Sequence, residues 1–406
     1  MVSLELIGAN VDMGSTAFFS ARIQQLQETI RERHLAGAVL FHSRDVLYYS
    51  GTAQPAYLVV LPDDYLLFVS RGYDFAQRDC GLPAERMVAE GKVNQICRRM
   101  FPGPGAGARV GTEFDLLTLA HARRLEEALH GRELVDITPE VLHQRLAKDA
   151  AETDAIRKAC AAVHAGHEAV LARLKPGLSE LELSAHVEAA QRLAGHEGMI
   201  FLRTADPVMG RGCLGSGPNL RETSGTVYTL TGVGLSSAVP VGASRRVIQA
   251  GDLVLVDLPA CVEGYHADQS RTYAVGRAPE RAVDLFGRLR EVADCLIARV
   301  RPGMSCGEMV GLAFSRAEEL GLAESFMRFQ RGTKAHFIGH GIGLEVNEVP
   351  LLTWNSEIVL PPGAVLALEM HVMEPEGITV KLEDTLHLTD DGLQLLTLSP
   401  RELTVV

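Results

Sequence analysis

Apolar positions in the first 145 or so residues alternate between helical spacing and short strand-like runs. Between Thr16 and His34 they recur on one side of a helix whose opposite side is polar. Four short apolar runs bounded by Asp, Pro or Gly then predict strands, and they read AGAVLF, VLYYSG, YLVVLP and YLLFVS. A further helix is expected from Leu116 to Leu129. The glycine-rich segment from Gly103 to Gly111 lacks the Gly-Lys-Ser/Thr ending of a phosphate-binding loop and is expected to be an ordinary loop. Together these elements predict an α/β domain.

A long polar-to-helical stretch beginning near Leu142 marks the expected domain boundary, with residues 1–147 before it and residues 148–406 after it. The second domain repeats itself. Its segment ARLKPGLS, from Ala172 to Ser179, is echoed by ARVRPGMS from Ala298 to Ser305. In both copies a Glu follows the Ser by three residues, which is the capping-box pattern that begins a helix.

A second repeated segment ends in a carboxylate in both copies. The run GDLVLVD ending at Asp257 matches GAVLALE ending at Glu369, and each consists of a glycine turn, an apolar strand and a carboxylate. Each is followed by another acid on a strand-like run, Asp268 in the first copy and Glu383 in the second. Two echoes in the same order indicate a duplication, in which two halves face each other and contribute matched carboxylates to one centre. The expected fold is therefore an α/β N-terminal domain followed by an α+β C-terminal domain with internal pseudo-twofold duplication.

Composition narrows the class of protein. The 406 residues are 47% apolar and 22% charged, as in an ordinary globular protein. The net charge of −12 argues against nucleic acid or an anionic membrane as partner. The sequence has neither an apolar run long enough to span a membrane nor a signal-peptide pattern at its start. Seven scattered cysteines without CxxC spacing are typical of reduced thiols, so we expect a cytoplasmic protein.

The stretch AHFIGHGIGLEVNEVP contains two histidines and two glutamates close to three glycines. Its two histidines, His336 and His340, lie four residues apart. A single acid that ends an apolar strand usually faces water, but four acids in duplicated positions together with His340 favour a bound cation. Such a ligand set suits Mn, Co, Fe or Zn. Two ions about 3.5–4 Å apart can share a water that attacks an amide carbonyl, so the expected chemistry is hydrolysis.

The order Asp257, Asp268, GHGIG with His340, Glu369, Glu383 resembles the pita-bread metallopeptidases, which include methionine aminopeptidase, aminopeptidase P and prolidase. The resemblance runs from about residue 150 to the end. With the N-terminal α/β domain in front, the whole chain resembles the creatinase/prolidase/aminopeptidase P branch.

This resemblance implies the pita-bread fold for the C-terminal domain, Xaa-Pro peptidase activity and a homodimer. It also implies two divalent ions, Mn or Co before Zn or Fe. Asp257 would serve one ion, Asp268 and Glu383 would bridge, and His340 and Glu369 would complete the other site. Glu369 would also be catalytic, as the proton shuttle of the attacking water.

The chain departs from the family pattern around the substrate. The usual Pro-His-Gly loop has Val241 in place of the His, and a second usual His is Asn347, followed by Glu348. The usual Glu-Pro-Gly has become Glu-Met-His, which ends at His371. His336 is retained, and we expect it to be catalytic and to contact substrate. We also expect four further residues in the substrate site: Val241, Asn347, Glu348 and His371. One lost hydrogen-bond donor to an oxyanion typically costs on the order of 100- to 1000-fold in rate.

Three functions stay open after these departures. The first is a metal-dependent peptidase that acts on short Xaa-Pro or related peptides. The second is a metallohydrolase of the same fold that acts on a non-peptide amide or amidine, and the third is a binding relative without activity. Arg271 and Lys381 flank the bridging acids and are expected to orient or neutralise them from outside the ligand set.

Overall fold

A computed structural model describes residues 16–204, 210–225 and 229–406 of the chain. The chain divides into two compact units, of which the first ends at Arg145 and the second begins at Leu146. Across these described ranges, no helix has the length and apolar character needed to cross a membrane.

The first unit contains a six-stranded sheet with the strand order β4-β3-β2-β1-β5-β6. Strands β1 and β2 pair antiparallel, whereas β1 and β5 pair parallel. The elements of this unit are α1 Thr16–Glu32, β1 Gly37–Leu40, α2 Ser43–Ser50, β2 Ala56–Val60, β3 Tyr65–Val69, α3 Tyr73–Asp79, β4 Met87–Ala89, α4 Val93–Met100, β5 Arg109–Thr112, α5 Leu119–Ala128, β6 Glu133–Asp136 and α6 Thr138–Gln144.

This arrangement confirms the expected α/β unit, with one error in its elements. The run VLYYSG is not a strand, because its residues from Val46 to Ser50 lie in helix α2. Asp45 lies in the first turn of that helix, where a negative charge is favourable, and Gly51 ends it at φ 78°. Val46 and Tyr49 are both buried and stand three apart, which is helical spacing hidden inside a short apolar run. The glycine-rich loop is also shorter than expected, since strand β5 includes its last residues.

The second unit contains a four-stranded sheet of order β17-β11-β8-β7, a five-stranded sheet of order β13-β12-β14-β15-β16, and the β9–β10 pair. Its elements are α7 Ala150–Arg173, α8 Glu180–Leu193, β7 Cys213–Ser216, β8 Leu253–Asp257, β9 Ala260–Val262, β10 Tyr265–Ala267, β11 Ser270–Ala274, α9 Glu280–Arg299, α10 Cys306–Glu319, β12 Phe337–Gly341, β13 Glu348–Thr353, β14 Val365–Met373, β15 Thr379–Thr389, β16 Gly392–Leu395 and β17 Thr404–Val405.

The duplication is visible in backbone detail. Ser179 and Ser305 each cap the following helix, α8 and α10, with a complete capping box, as the sequence predicts. Each of these serines also forms an isolated antiparallel bridge, Ser179 with Val247 and Ser305 with Val359. Both valines stand six residues before the first residue of the next strand, β8 in one half and β14 in the other. The two halves therefore share one local fold, helix followed by strand, held by the same contacts.

The alternation of side chains on β14 and β15 creates one apolar face and one polar face. Leu366, Leu368 and Met370 on β14 join a hydrophobic cluster with helices α9 and α10, and so does Leu382 on β15. The residues between them must point the other way. This opposite face carries acids, a histidine and a lysine, and it is the site described next.

Candidate metal centre

Register across the β14–β15 ladder places the predicted ligands side by side. Glu369 pairs directly with Glu383, and two residues further along His371 pairs with Lys381. In the other sheet, Asp257 at the end of β8 pairs with Ser270 of β11. Directly opposed residues lie on the same face of a sheet, so each half of the unit presents its carboxylates on one polar face.

Three of the predicted ligands form a group with metal-binding geometry. The ligand atoms of Asp268, His340 and Glu383 lie within 4.8 Å of one another, and all three residues are buried. The Ser270 hydroxyl donates a hydrogen bond of 2.7 Å to Glu383 Oε2, whereas Glu383 Oε1 is buried without a hydrogen-bond partner. A buried carboxylate oxygen is costly unless it meets a donor or a cation. The donor set therefore fits one divalent ion.

His340 is held in the form that a metal ligand requires. Its Nδ1 lies 3.0 Å from the carbonyl oxygen of Gly341, which can only accept, so Nδ1 carries the proton. The lone pair is then on Nε2, which lies 3.8 Å from Glu369 Oε1. Burial lowers the pKa of His340 and keeps the ring neutral, and the ring of Phe337 stacks against it. The free nitrogen thus points into the carboxylate group.

The electrostatics of the carboxylates also favour a cation. Burial and the neighbouring charge of Glu383 raise the pKa of Asp268 well above its usual range. Burial raises the pKa of Glu383 to about 8, even though the Lys381 ammonium opposes this. Closely spaced buried acids resist ionisation together unless positive charge is supplied. A divalent ion at Asp268, His340 and Glu383 would supply it.

Lys381 lies at the centre of the remaining ligands. Its ammonium nitrogen is 2.6 Å from Asp257 Oδ2, 2.7 Å from Glu369 Oε2 and 3.3 Å from Glu383 Oε2, and it donates to the Thr229 hydroxyl at 2.6 Å. Burial works to lower its pKa, but the charges of Asp257 and Glu369 raise it well above the usual value. The ammonium is therefore firmly charged.

The sequence places Lys381 outside the ligand set, yet it contacts three of the five predicted ligands. A signal for this was present in the sequence, since Lys381 stands two residues before Glu383 on one strand and must share its face. Thr229 and Ser270 are the other residues that sequence reasoning missed, because a hydroxyl on a loop or strand end has no distinctive spacing.

The second predicted flanking residue, Arg271, points to the opposite side of β11. Its guanidinium donates to Asp384 Oδ1 at 2.6 Å and to the carbonyl oxygens of Pro400 and Ser399 at 2.7 and 3.0 Å. It also donates to the carbonyl oxygen of Glu383. Arg271 therefore links β11 to β15 on the side of the strand away from the ligands. Its guanidinium forms an ion pair with Asp384, which is not one of the five predicted ligands.

The residues predicted to contact substrate lie around this centre in different settings. His371 is buried, its Nε2 is 2.8 Å from the carbonyl oxygen of Arg328, and burial lowers its pKa to about 4. Its place opposite Lys381 puts it on the ligand face. Glu348 is buried and its Oε2 lies 3.1 Å from the ammonium of Lys148. Val241 is half-buried.

His336 and Asn347 are exposed, unlike the metal ligands. The His336 ring stacks on Phe314, with centroids 5.9 Å apart, and meets Trp354 edge-on at 6.2 Å. Asn347 lies in the bend that precedes β13. The structure therefore brings together the five metal-ligand candidates, whereas His336 belongs to an aromatic surface group.

Comparison with known proteins agrees with this geometry. The model of metallopeptidase family M24 matches residues 154–390, and that of the creatinase/prolidase N-terminal domain matches residues 22–147. The chain belongs to metallopeptidase family M24. Its metal-dependent hydrolase character and the creatinase/prolidase/aminopeptidase P branch follow from both matches.

Individual relatives cover between 74% and 96% of the chain. It is 26% identical to the Xaa-Pro dipeptidase of Pyrococcus furiosus, over 94% of this chain and 99% of that protein. It is 30% identical to the probable dipeptidase PepE of Mycobacterium tuberculosis, over 74% of this chain and 71% of that protein. The solved Xaa-Pro dipeptidase from Bacillus anthracis superposes with a TM-score of 0.78 at 24% identity, over 96% of this chain and all of that one. The expected pita-bread fold behind an α/β N-terminal domain is confirmed.

Proposed function

We propose that this chain hydrolyses short peptides with a divalent ion at Asp268, His340 and Glu383, and that Xaa-Pro dipeptides are its first substrate class. The observation that carries the proposal is the buried group of these three residues, whose ligand atoms lie within 4.8 Å of one another. A divalent ion bound there would supply the Lewis acidity that activates water and polarises an amide carbonyl. The names of the relatives support the substrate class.

Glu369 is the residue we assign to proton transfer. Burial works to raise its pKa, but the charge of the Lys381 ammonium and its hydrogen bond to Glu369 hold that pKa below its usual range. The carboxylate is therefore ionised and able to accept a proton. Its Oε1, 3.8 Å from His340 Nε2, is the oxygen nearer the ion-binding group, and its Oε2 is engaged by Lys381. Oε1 is the expected proton acceptor.

Hydrolysis of a peptide panel tests the proposal. Metal-free protein is reloaded with Mn²⁺, Co²⁺ or Zn²⁺ and assayed on Xaa-Pro dipeptides and tripeptides, with Xaa-Ala peptides of the same length for comparison. We expect turnover that depends on the ion and is absent in His340→Ala. Absence of turnover with every ion, in protein shown to bind that ion, would contradict the peptidase assignment.

A second candidate is a metallohydrolase acting on a non-peptide amide or amidine. Val241 favours it, since a half-buried valine occupies the place of a hydrogen-bonding histidine and can neither donate nor titrate. Turnover of amides or amidines together with inert peptides would select this candidate. Inertness of both classes would leave only the third hypothesis, a binding relative.

We propose Mn or Co as the ion before Zn or Fe, and a homodimer, which light scattering would check. The seven cysteines are all free thiols, which supports the proposed cytoplasmic location. The roles of His336, Asn347, Glu348, Val241 and His371 in substrate binding also stay predictions.

A further inference from the structure

The ammonium of Lys381 fills the part of the site that the family resemblance assigns to an ion. All three of its N–H donors have close acceptors, in Asp257, Glu369 and Thr229, at 2.6 to 2.7 Å. A fourth oxygen, Glu383 Oε2, lies at 3.3 Å. An ammonium has only three donors, so this one is saturated by the site itself and has none left for a substrate.

The backbone fixes Lys381 in this place. Its amide nitrogen donates to the Thr272 hydroxyl at 3.0 Å, and the same hydroxyl donates to its carbonyl oxygen at 2.8 Å. On the other edge of its strand, Lys381 pairs with His371. The side chain is only 1% exposed, so no path leads it to water. A lysine anchored on this face must place its charge among the carboxylates.

An ion and this ammonium cannot use the same oxygens. Oxygen ligands bind ions such as Zn²⁺ at about 2.0–2.2 Å. An ion at that distance from Asp257 Oδ2 and Glu383 Oε2 would lie against the ammonium nitrogen, which is 2.6 Å from the first oxygen and 3.3 Å from the second. Two cations at such separation in a buried site repel each other strongly.

The carboxylates divide accordingly into two groups. Asp257 and Glu369 engage Lys381, whereas Asp268 and His340 lie with Glu383 in the group of three that fits an ion. Glu383 belongs to both groups. Its Oε2 faces the ammonium and Ser270, and its Oε1 has no hydrogen-bond partner.

We propose that the chain binds one divalent ion, at Asp268, His340 and Glu383, and that the Lys381 ammonium replaces the ion that the family resemblance assigns to Asp257. The site then uses a built-in cation in place of a second metal. This inference rests on the proposed metal-dependent function, but its test counts ions and needs no substrate. Failure to find a substrate would leave it standing.

The test is the number of ions bound per chain. Metal-free protein is titrated with Mn²⁺, and bound metal is measured by calorimetry and by elemental analysis after gel filtration. We expect about one ion in the unmodified chain. Lys381→Met removes the charge but keeps much of the length, and Lys381→Ala opens the space. Both variants are expected to bind about two ions, a gain that a merely structural lysine would not produce.

Lys148→Met is the matched control. Lys148 is equally buried and pairs with Glu348, outside the five predicted ligands. Its variant is expected to keep about one ion. The electron paramagnetic resonance spectrum gives an independent reading, since the unmodified chain should show an isolated Mn²⁺ and Lys381→Ala a pair of coupled ions.

Asp257→Asn separates the two arrangements in a further way. Because Asp257 engages the ammonium, we expect this variant to retain its ion, whereas His340→Ala loses it. Two ions in the unmodified chain, or a count in the folded Lys381 variants that does not rise, would overturn the proposal.

Discussion

Glu369 and Glu383 stand directly opposite each other on neighbouring strands, both buried and both on the polar face of the β14–β15 ladder. Two acids so placed repel each other, and their pKa values move in opposite directions, down for Glu369 and up to about 8 for Glu383. Lys381, which lies closer to Glu369, accounts for the difference. Of these two acids, Glu383 is therefore the one whose charge is less well compensated.

Neutralising Glu383 is therefore expected to remove metal binding. Glu383→Gln keeps the shape of the side chain and loses its charge, and we expect metal affinity to fall by more than about 100-fold, beyond the usual effect of residues outside the ligand set. Calorimetric titration with Mn²⁺ measures the change. Glu376→Gln, at an exposed acid before β15, is the control and should bind as the unmodified chain does. Unchanged affinity in Glu383→Gln would remove this residue from the ligands.

The hydroxyl of Ser270 is expected to position Glu383 for the ion. It donates to Glu383 Oε2 at 2.7 Å, while Glu383 Oε1 is buried without a hydrogen-bond partner and would be available to an ion. Ser270→Ala should lower metal affinity by about 10- to 100-fold, the usual effect of removing such a support. Ser325→Ala, at another buried serine, should have no effect on the same titration. An affinity equal to that of the unmodified chain would show that Ser270 is dispensable.

Metal-free protein is expected to lose stability as the pH rises from about 6.5 to 8. Glu383, whose pKa is raised to about 8 by burial, keeps its proton in the folded state over this range, and the unfolded chain has already lost it. The folded state then binds more protons than the unfolded state, and the free energy of unfolding must fall with rising pH. Asp268, whose pKa is also raised, acts in the same direction.

Below about pH 6.5 buried histidines oppose this trend. Burial lowers the pKa of His371 and of His167 to about 4, so the unfolded chain gains protons there before the folded one does. Melting temperatures of metal-free protein should therefore fall most steeply with pH above about pH 6.5, where the histidines no longer oppose the two acids. A saturating divalent ion, or Glu383→Gln, should flatten the decline above that pH. If the melting temperature falls equally with a saturating ion and in Glu383→Gln, groups other than Glu383 cause the decline.

Restoring a histidine at position 241 tests the altered substrate shell. Val241→His is expected to raise kcat/KM on Xaa-Pro peptides, by up to about 100-fold, if the new ring reaches the oxyanion. Asn347→His, at an exposed position, is the comparison and should give a smaller gain. The ion count should stay the same in both variants, which separates a substrate effect from a metal effect. A lower rate in Val241→His with intact metal binding would indicate that the valine is part of a different specificity.

The sequence was sufficient to predict which carboxylates lie close together, because the duplication repeats a local pattern. A glycine turn, an apolar strand and an acid are contiguous in the chain, and strand alternation then fixes which side each acid faces. It failed at Val46–Ser50, where five residues of an apolar run are too few to separate helix from strand.

Contacts between distant residues were beyond prediction. Lys148 pairs with Glu348 across 200 positions, and His336 meets Trp354 and Phe314 on other elements. Lys381 could be assigned to the correct face by its spacing. The contacts of its ammonium with Asp257 and Thr229 could not be predicted, because these residues come from other parts of the unit.

The position of Arg271 behind the ligands has a consequence for how an ion binds. Its ion pair with Asp384 and its hydrogen bond to the carbonyl oxygen of Glu383 hold β11 and β15 together on the side away from the site. The spacing between Ser270 and Glu383 is thus set by protein contacts alone. We therefore expect these two residues to be positioned on folding, before an ion binds.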